Sequence, residues 1–374
     1  MITTETISKS AFVMFLTKMG SLNALEQHKG NGFWKYWTGK PLPSADTIGR
    51  VFSMIDAEPI REELHYVYDR LKRNKVLEPY TFGMNGLVID GHESTSSYKR
   101  CCEGCLERKI KTEKGEEIQY YHKQVTAILL SRGMQILLDS ETQRPGEDEV
   151  AAAIRLVKRV LKKYPRAFSV VIADGLYVRS NFFKIITDAG KEVIAVLKDE
   201  RRELLQDAMD IFKLVKPEVV TEGSTRRECW DVEGFNSWKQ FGKEVRVVRS
   251  LEKTVTKSQL TGEEEEKISD WVWVTTFKKE KCDTRGIIEF GHGRWRIENN
   301  GFNELVNEWK SDHVYKHAPK AIEAFYLLSM LACNLFNIFV ERNIKPILRN
   351  KHTKRHWGRV MAADLYINKS VPFG

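Results

Sequence analysis

Phe168-Ser-Val-Val-Ile-Ala-Asp174 is the stretch on which the reading of this chain turns. Apolar and β-branched residues in so short a run predict a buried strand, and the run ends on an acid. An earlier run, Gly86-Leu-Val-Ile-Asp90, has the same form. Between them, Val125-Thr-Ala-Ile-Leu-Leu130 and Met134-Gln-Ile-Leu-Leu138 flank Ser131-Arg-Gly133, which predicts a hairpin. Asp148 to Lys163 predicts an amphipathic helix with Val150, Ile154, Val157, Val160 and Leu161 apolar, stopped at Pro165. Beyond Asp174 come a helix from Ser180 to Asp188 closed by Gly190, a strand Glu192-Val-Ile-Ala-Val-Leu197, and a helix near 201–213.

Three strands, a helix, a strand, a helix and a strand predict an α/β protein, with the antiparallel hairpin first and the crossovers after. That is the order of an RNase H-like (retroviral-integrase-like) mixed sheet. Residues 216–289 interrupt it. Val245-Arg-Val-Val-Arg249 and Trp271-Val-Trp-Val-Thr-Thr276 have strand composition, and Gly262-Glu-Glu-Glu-Glu-Lys267 between them reads as a solvated acidic turn. The division expected is a helical N-terminal region over 1–80, a catalytic core over 81–215 and 290–345, a β-rich insertion over 216–289, and a basic tail over 346–374. In the first region Ile48, Val51, Phe52 and Ile55 share one helical face, followed by Leu64, Val67 and Leu71. This stripe suits a DNA-binding helical pair or a plain packing unit equally. Ala321 to Phe339 predicts an apolar core helix.

The 374 residues carry 60 Lys+Arg against 51 Asp+Glu, a net charge of +9, with a mean hydropathy of −0.42. With 18 Phe, 12 Tyr and 9 Trp, the chain is too aromatic for an intrinsically disordered one. It has no uninterrupted apolar run of about 18 residues, and Met1 to Ser10 lacks a secretory layout. Six cysteines, three of them clustered, do not form a disulfide framework. A cytoplasmic protein is expected, without a membrane partner. Residues 341–369 alone contribute +6 of the formal charge. Lys351-His-Thr-Lys354-Arg355-His-Trp-Gly-Arg359 interleaves bases with an aromatic, which suits phosphate contact with stacking, or else a solvated terminus.

Asp90 and Asp174 end the first and fourth strands, neighbours in an RNase H-like sheet, and Glu298 falls on a later predicted helix. Single acids after strands often serve turns or caps. Three converging carboxylates repel unless cations neutralise them, and hard oxygen donors suit Mg²⁺ or Mn²⁺. Arg294, four residues before Glu298, shares its helical face.

The sequence resembles the DDE transposases of bacterial insertion sequences, in the group whose RNase H-like core carries a β-strand insertion before the catalytic Glu. The resemblance covers about residues 84–340. It rests on Ile89-Asp90-Gly91, on Ile172-Ala-Asp174-Gly175, and above all on Arg294-Trp-Arg-Ile-Glu298-Asn with Phe302 and Leu305 behind it. It implies that Asp90, Asp174 and Glu298 hold the catalytic metals and that Arg294 contacts DNA. Trp295, Lys310, Lys351, Lys354, Arg355 and Arg359 are further candidates for DNA contact. Metal-dependent nicking of transposon ends, strand transfer of the 3′-hydroxyl into target DNA, and a homodimer in the DNA complex are then expected. The alternatives are a nuclease of the same fold without strand transfer and a domesticated, non-catalytic DNA-binding relative. The chain departs from the group's signature in having Gly291 where it carries Tyr and Leu305 where it carries Lys.

A second cluster is Cys101-Cys102-Glu-Gly-Cys105 with His122 downstream. Its spacings fit a zinc site with His122 as fourth ligand, or unliganded cysteines beside a hairpin.

Overall fold

The computed structural model describes residues 2–113, 115–199, 202–257, 262–297 and 303–367. The protein is α/β, as expected. Its strands are β1 (Gly86–Ser97), β2 (Leu106–Thr112), β3 (Gly115–Ser131), β4 (Met134–Thr142), β5 (Val170–Ala173), β6 (Glu192–Val196), β7 (Glu218–Glu222), β8 (Thr225–Phe235), β9 (Val245–Lys257) and β10 (Glu264–Thr275). They make one sheet in the order β2-β3-β1-β5-β6-β10-β9-β8-β7, with β4 also on β3. The long β3 pairs with β2 through its first half and with β4 through its second. β1 is antiparallel to β3 and parallel to β5, and β5 is parallel to β6. Every residue of β5 is buried, as a parallel strand covered on both faces requires.

The strands and helices expected from 86 to 214 are present, with α6 (Glu149–Lys163), α7 (Ser180–Asp188) and α8 (Glu203–Leu214) between them. Asp148 caps α6 by accepting a bond from the Ala151 amide. Among the described residues, the stretch expected as an insertion holds four strands rather than two, and it extends the sheet through β10 paired antiparallel to β6. The acidic stretch is not a turn throughout. Glu264 to Lys267 pair with Lys257 to Thr254, so β9 and β10 run on as an exposed ribbon. With both faces in water, charged side chains stay solvated there and the backbone ladder still forms.

The N-terminal region is helical: α1 (Thr4–Leu16), α2 (Leu22–Glu26), α3 (Gly32–Thr38), α4 (Ala45–Phe52) and α5 (Glu58–Arg73). Thr3, Ser21, Asn31 and Ser44 each accept a backbone amide bond as N-caps of the first four. The apolar stripe of α4 and α5 serves packing. Ile48 and Phe52 are fully buried, and the Phe52 ring stacks on Phe325 at 4.1 Å. Phe325 lies in α11 (Pro319–Asn343), the expected apolar helix. By length and composition α11 could cross a membrane, but 72% of its most apolar window is buried inside the fold, as in a core helix. Its Asn334 accepts a bond from the Leu137 amide at 3.0 Å and donates one to the Leu137 carbonyl at 2.8 Å, satisfying backbone groups of edge strand β4. Arg61 of α5 adds a charged tie, bonding Asp139 of β4 at 3.0 Å and Glu323 of α11 at 2.5 Å.

The C-terminal stretch is also helical where described, as α12 (Pro346–Arg349) and α13 (Lys354–Ile367). Before α11 the described residues hold α9 (Thr284–Arg296), which starts earlier than the expected Gly293, and α10 (Asn303–Trp309).

Phe52→Ala removes a stacked ring from this interface and should destabilise the whole protein by about 3–5 kcal/mol. Urea unfolding followed by tryptophan fluorescence checks this. A separate early transition, with the main one unmoved, would mean that the N-terminal helices form their own folding unit.

Candidate active site

The parallel register of β1 and β5 aligns Ile89 with Ala173, so Asp90 and Asp174 follow side by side where that pairing stops. Asp90 does not end β1 as the sequence suggests, because β1 runs on to Ser97 against β3, but Asp174 lies just past the carboxyl end of β5. This is where open α/β sheets present side chains to ligands. Side chains alternate along a strand. Gly91 faces α6, where an added Cβ would meet the Glu149 carboxylate. Asp90 therefore faces the opposite side of the sheet, which α9 crosses. From that helix Arg294 donates from Nη1 to Asp90 Oδ2 at 3.1 Å, and the Gly91 amide donates to Asp90 Oδ1 at 2.9 Å. Arg294 is only 4% exposed.

Asp174 is held differently. Lys198, just past β6, donates to its Oδ1 at 3.3 Å. Burial opposes ionisation of Asp174, but the Gly175 amide, Arg294 and Lys198 together outweigh it and keep the carboxyl below its usual range. Both aspartates thus sit in a compensated positive field. On the α6 side, Tyr177 donates to Glu149 at 2.5 Å, and Lys123 pairs with the same carboxylate. Burial and the neighbouring acids push the Tyr177 phenol well up, so it stays a neutral donor. Lys198, Glu149 and Tyr177 were not singled out from sequence. Lys198 carried one usable signal, a charge just past a strand beside the one that ends at Asp174.

Glu298 lies outside the described residues, as does Phe302; α9 ends at Arg296, two residues before Glu298. The candidate DNA contacts are scattered. Trp295 is 44% exposed at the end of α9, and Lys310 is exposed in a left-handed conformation that closes α10. Lys351 and Arg359 are exposed. Lys354 and Arg355 are drawn back onto α10, pairing with Glu304 at 2.5 Å and Glu308 at 3.0 Å. Arg349 pairs with Glu341 at 2.6 Å. The basic stretch is therefore a helical unit partly neutralised by the body, not a free run of charge.

The two departures from the transposase signature have packing reasons. An added Cβ at Gly291 would lie 2.4 Å from Trp273, so the indole fills the space that a side chain would need. Leu305 is 1% exposed, where a Lys would be desolvated. Next to Gly291, His292 bonds Glu252 through Nε2 at 2.8 Å and its ring lies edge-on to Trp271 and Trp273. Burial raises the Glu252 carboxyl, but its bonds to His292 and Ser250 and the charge of Arg227 bring it below its usual range.

The cysteine cluster is real as a cluster but differs in membership. Donor atoms of Cys102, Cys105, His122 and His317 all lie within 4.8 Å of one another. Cys101 is exposed and outside this group. His317 was not anticipated, because it lies 212 residues beyond Cys105 and only the fold brings it back.

Comparison with protein-family models finds no match, and a search of curated proteins finds none either.

Gly291→Ala forces a methyl group onto Trp273 and should cost about 1–3 kcal/mol. The expected result is a lower thermal midpoint with altered near-ultraviolet tryptophan dichroism; an unchanged midpoint would show that the α9–β10 contact can open freely.

Proposed function

We propose that this protein is a DNA transposase of the DDE type, built on an RNase H-like core. The observation that carries the reading is the pair Asp90 and Asp174, side by side where the parallel pairing of β1 and β5 stops, with Arg294 bonded to the first. The sheet order supports it. Within the larger sheet, β4-β3-β1-β5-β6 is an antiparallel three-strand unit continued from β1 by two parallel strands. The insertion precedes α9, as the resemblance implies.

The donor set fits hard divalent cations. It offers carboxylate oxygens, is half-buried, and keeps Asp174 ionised. Asp90, Asp174 and Glu298 would hold Mg²⁺ or Mn²⁺, which when bound supplies nucleophile activation and charge stabilisation for phosphoryl transfer. The chain's own residues orient and attract. Arg294 and the Gly91 amide fix both oxygens of Asp90. Lys198, whose side chain is 60% exposed, presents a cation beside Asp174 that can meet a DNA phosphate. Trp295 offers a face for stacking, and Lys351 and Arg359 offer backbone contacts. Two copies of the chain would be needed to hold two transposon ends together. The reading implies a bacterial cytosolic protein that joins the nucleoid when bound to DNA.

The test is an assay with labelled transposon-end DNA, Mg²⁺ and a supercoiled target plasmid. Asp90→Asn and Asp174→Asn should each lower cleavage and joining on the order of 10³-fold, while circular dichroism stays that of the folded parent at the assay temperature. Cleavage without joining, even from a pre-cut 3′-hydroxyl end, would favour a nuclease. DNA binding with no metal-dependent chemistry would favour a non-catalytic relative. Activity unchanged in both variants would remove the two aspartates from the site.

A further inference from the structure

The connection from β1 to β2 carries Cys102-Glu-Gly-Cys105, and β3 returns alongside it with His122. Cys105 and His122 are buried, and Cys102 is half-buried. Cys102 Sγ and Cys105 Sγ are 3.7 Å apart. His122 Nε2 lies 3.3 Å from each sulfur, and His317 Nε2 lies 3.3 Å from Cys105 Sγ. A tetrahedral zinc with Zn–S near 2.3 Å and Zn–N near 2.0–2.1 Å has S···S edges of about 3.8 Å and S···N edges of about 3.6 Å. Those four separations stand close to these edges, and every donor atom lies within 4.8 Å of the others.

We infer that Cys102, Cys105, His122 and His317 form a structural zinc site that ties the β1–β3 connection to the start of α11. The donor chemistry selects the metal. Two thiolates and two imidazoles suit Zn²⁺ and not the Mg²⁺ or Mn²⁺ expected at the carboxylates. The backbone is arranged for it. The Cys102 amide donates to Cys105 Sγ at 3.2 Å, and the Cys105 amide donates to the Cys102 carbonyl at 3.0 Å, closing the turn. Gly104 lets that turn seat against α11, since an added Cβ would lie 3.0 Å from Pro319 Cγ and 3.5 Å from the His122 ring. His317 stands two residues before Pro319, the first residue of α11. The ligands thus come from two parts of the chain that backbone pairing does not join. All four first positions are filled by protein, the mark of a structural and not a catalytic zinc. Binding releases the two thiol protons to solvent and transfers no electrons. The inference stands apart from the proposed transposase chemistry and survives its failure.

The experiment is metal analysis of the full-length protein, purified under reducing conditions without chelator or added metal. About one zinc per chain is expected, retained on dialysis and released by a thiol-modifying mercurial. Cys105→Ser and His317→Ala should lose it, and Cys101→Ser should keep it. His317→Cys should restore binding. Should the loss variants fail to fold, Co²⁺ added to reduced, metal-free parent protein gives an independent reading. Tetrahedral d–d bands with thiolate charge transfer are expected, shifted in His317→Cys. A parent protein that holds no zinc and gives no such bands overturns the site, as does a Cys102–Cys105 disulfide in protein isolated under non-reducing conditions. Zinc that persists in both Cys105→Ser and His317→Ala also overturns it.

Discussion

Two carboxylates side by side where β1 and β5 cease to pair are the constraint around which this molecule is arranged. Parallel pairing of β1 with β5 leaves Asp90 and Asp174 no choice but to be neighbours. Like charges so placed raise one another's pKa unless something positive faces them. The fold supplies it from three directions: Arg294 from α9, Lys198 from the end of β6, and the amides that follow each aspartate. Asp174 in consequence stays below its usual range in spite of burial.

That requirement explains why the insertion matters to the site. β7 to β10 extend the sheet beyond β6, and α9 packs across β5, β6, β9 and β10 before it reaches Asp90. The anchor is Trp273 under Gly291, reinforced by His292 on Glu252. A second anchor is Arg246, 1% exposed, which grips Asp231 through two bonds of 2.7 and 2.6 Å and the Cys282 carbonyl at 2.6 Å. A buried ion pair of this kind holds only if every group is satisfied, which gives it directional value even where its net stability is small. The insertion is therefore a platform that fixes the pitch of the helix carrying Arg294.

The helical flanks have a matching role on the other edge. α5 and α11 converge on β4, where Arg61 and Arg159 both reach Asp139. The head of α11 meets the β1–β2 connection where His317 Nε2 lies 3.3 Å from Cys105 Sγ, and α11 is held along its length by Asn334 and Tyr326.

Much of this was legible in the sequence because it rests on local physics. Apolar runs ending in Asp90 and Asp174, the period of α6, the cap at Asp148 and the apolar length of α11 are properties of short windows, and each predicts its element. The packing reasons for Gly291 and Leu305 could not be read locally, because Trp273 and the core around Leu305 come from elsewhere in the chain. The same holds for the acidic stretch before Trp271: its composition suggests a turn, and pairing with β9 overrides it. Charge was the least transferable property. The basic count of the C-terminal stretch is fixed by sequence, but whether Lys354 and Arg355 face a partner or Glu304 and Glu308 depends on where α10 and α13 meet. His317 marks the same boundary. Sequence supplied three cysteines with His122 as the fourth member, and only the fold, by bringing the segment before α11 against them, set His317 in the cluster in place of Cys101.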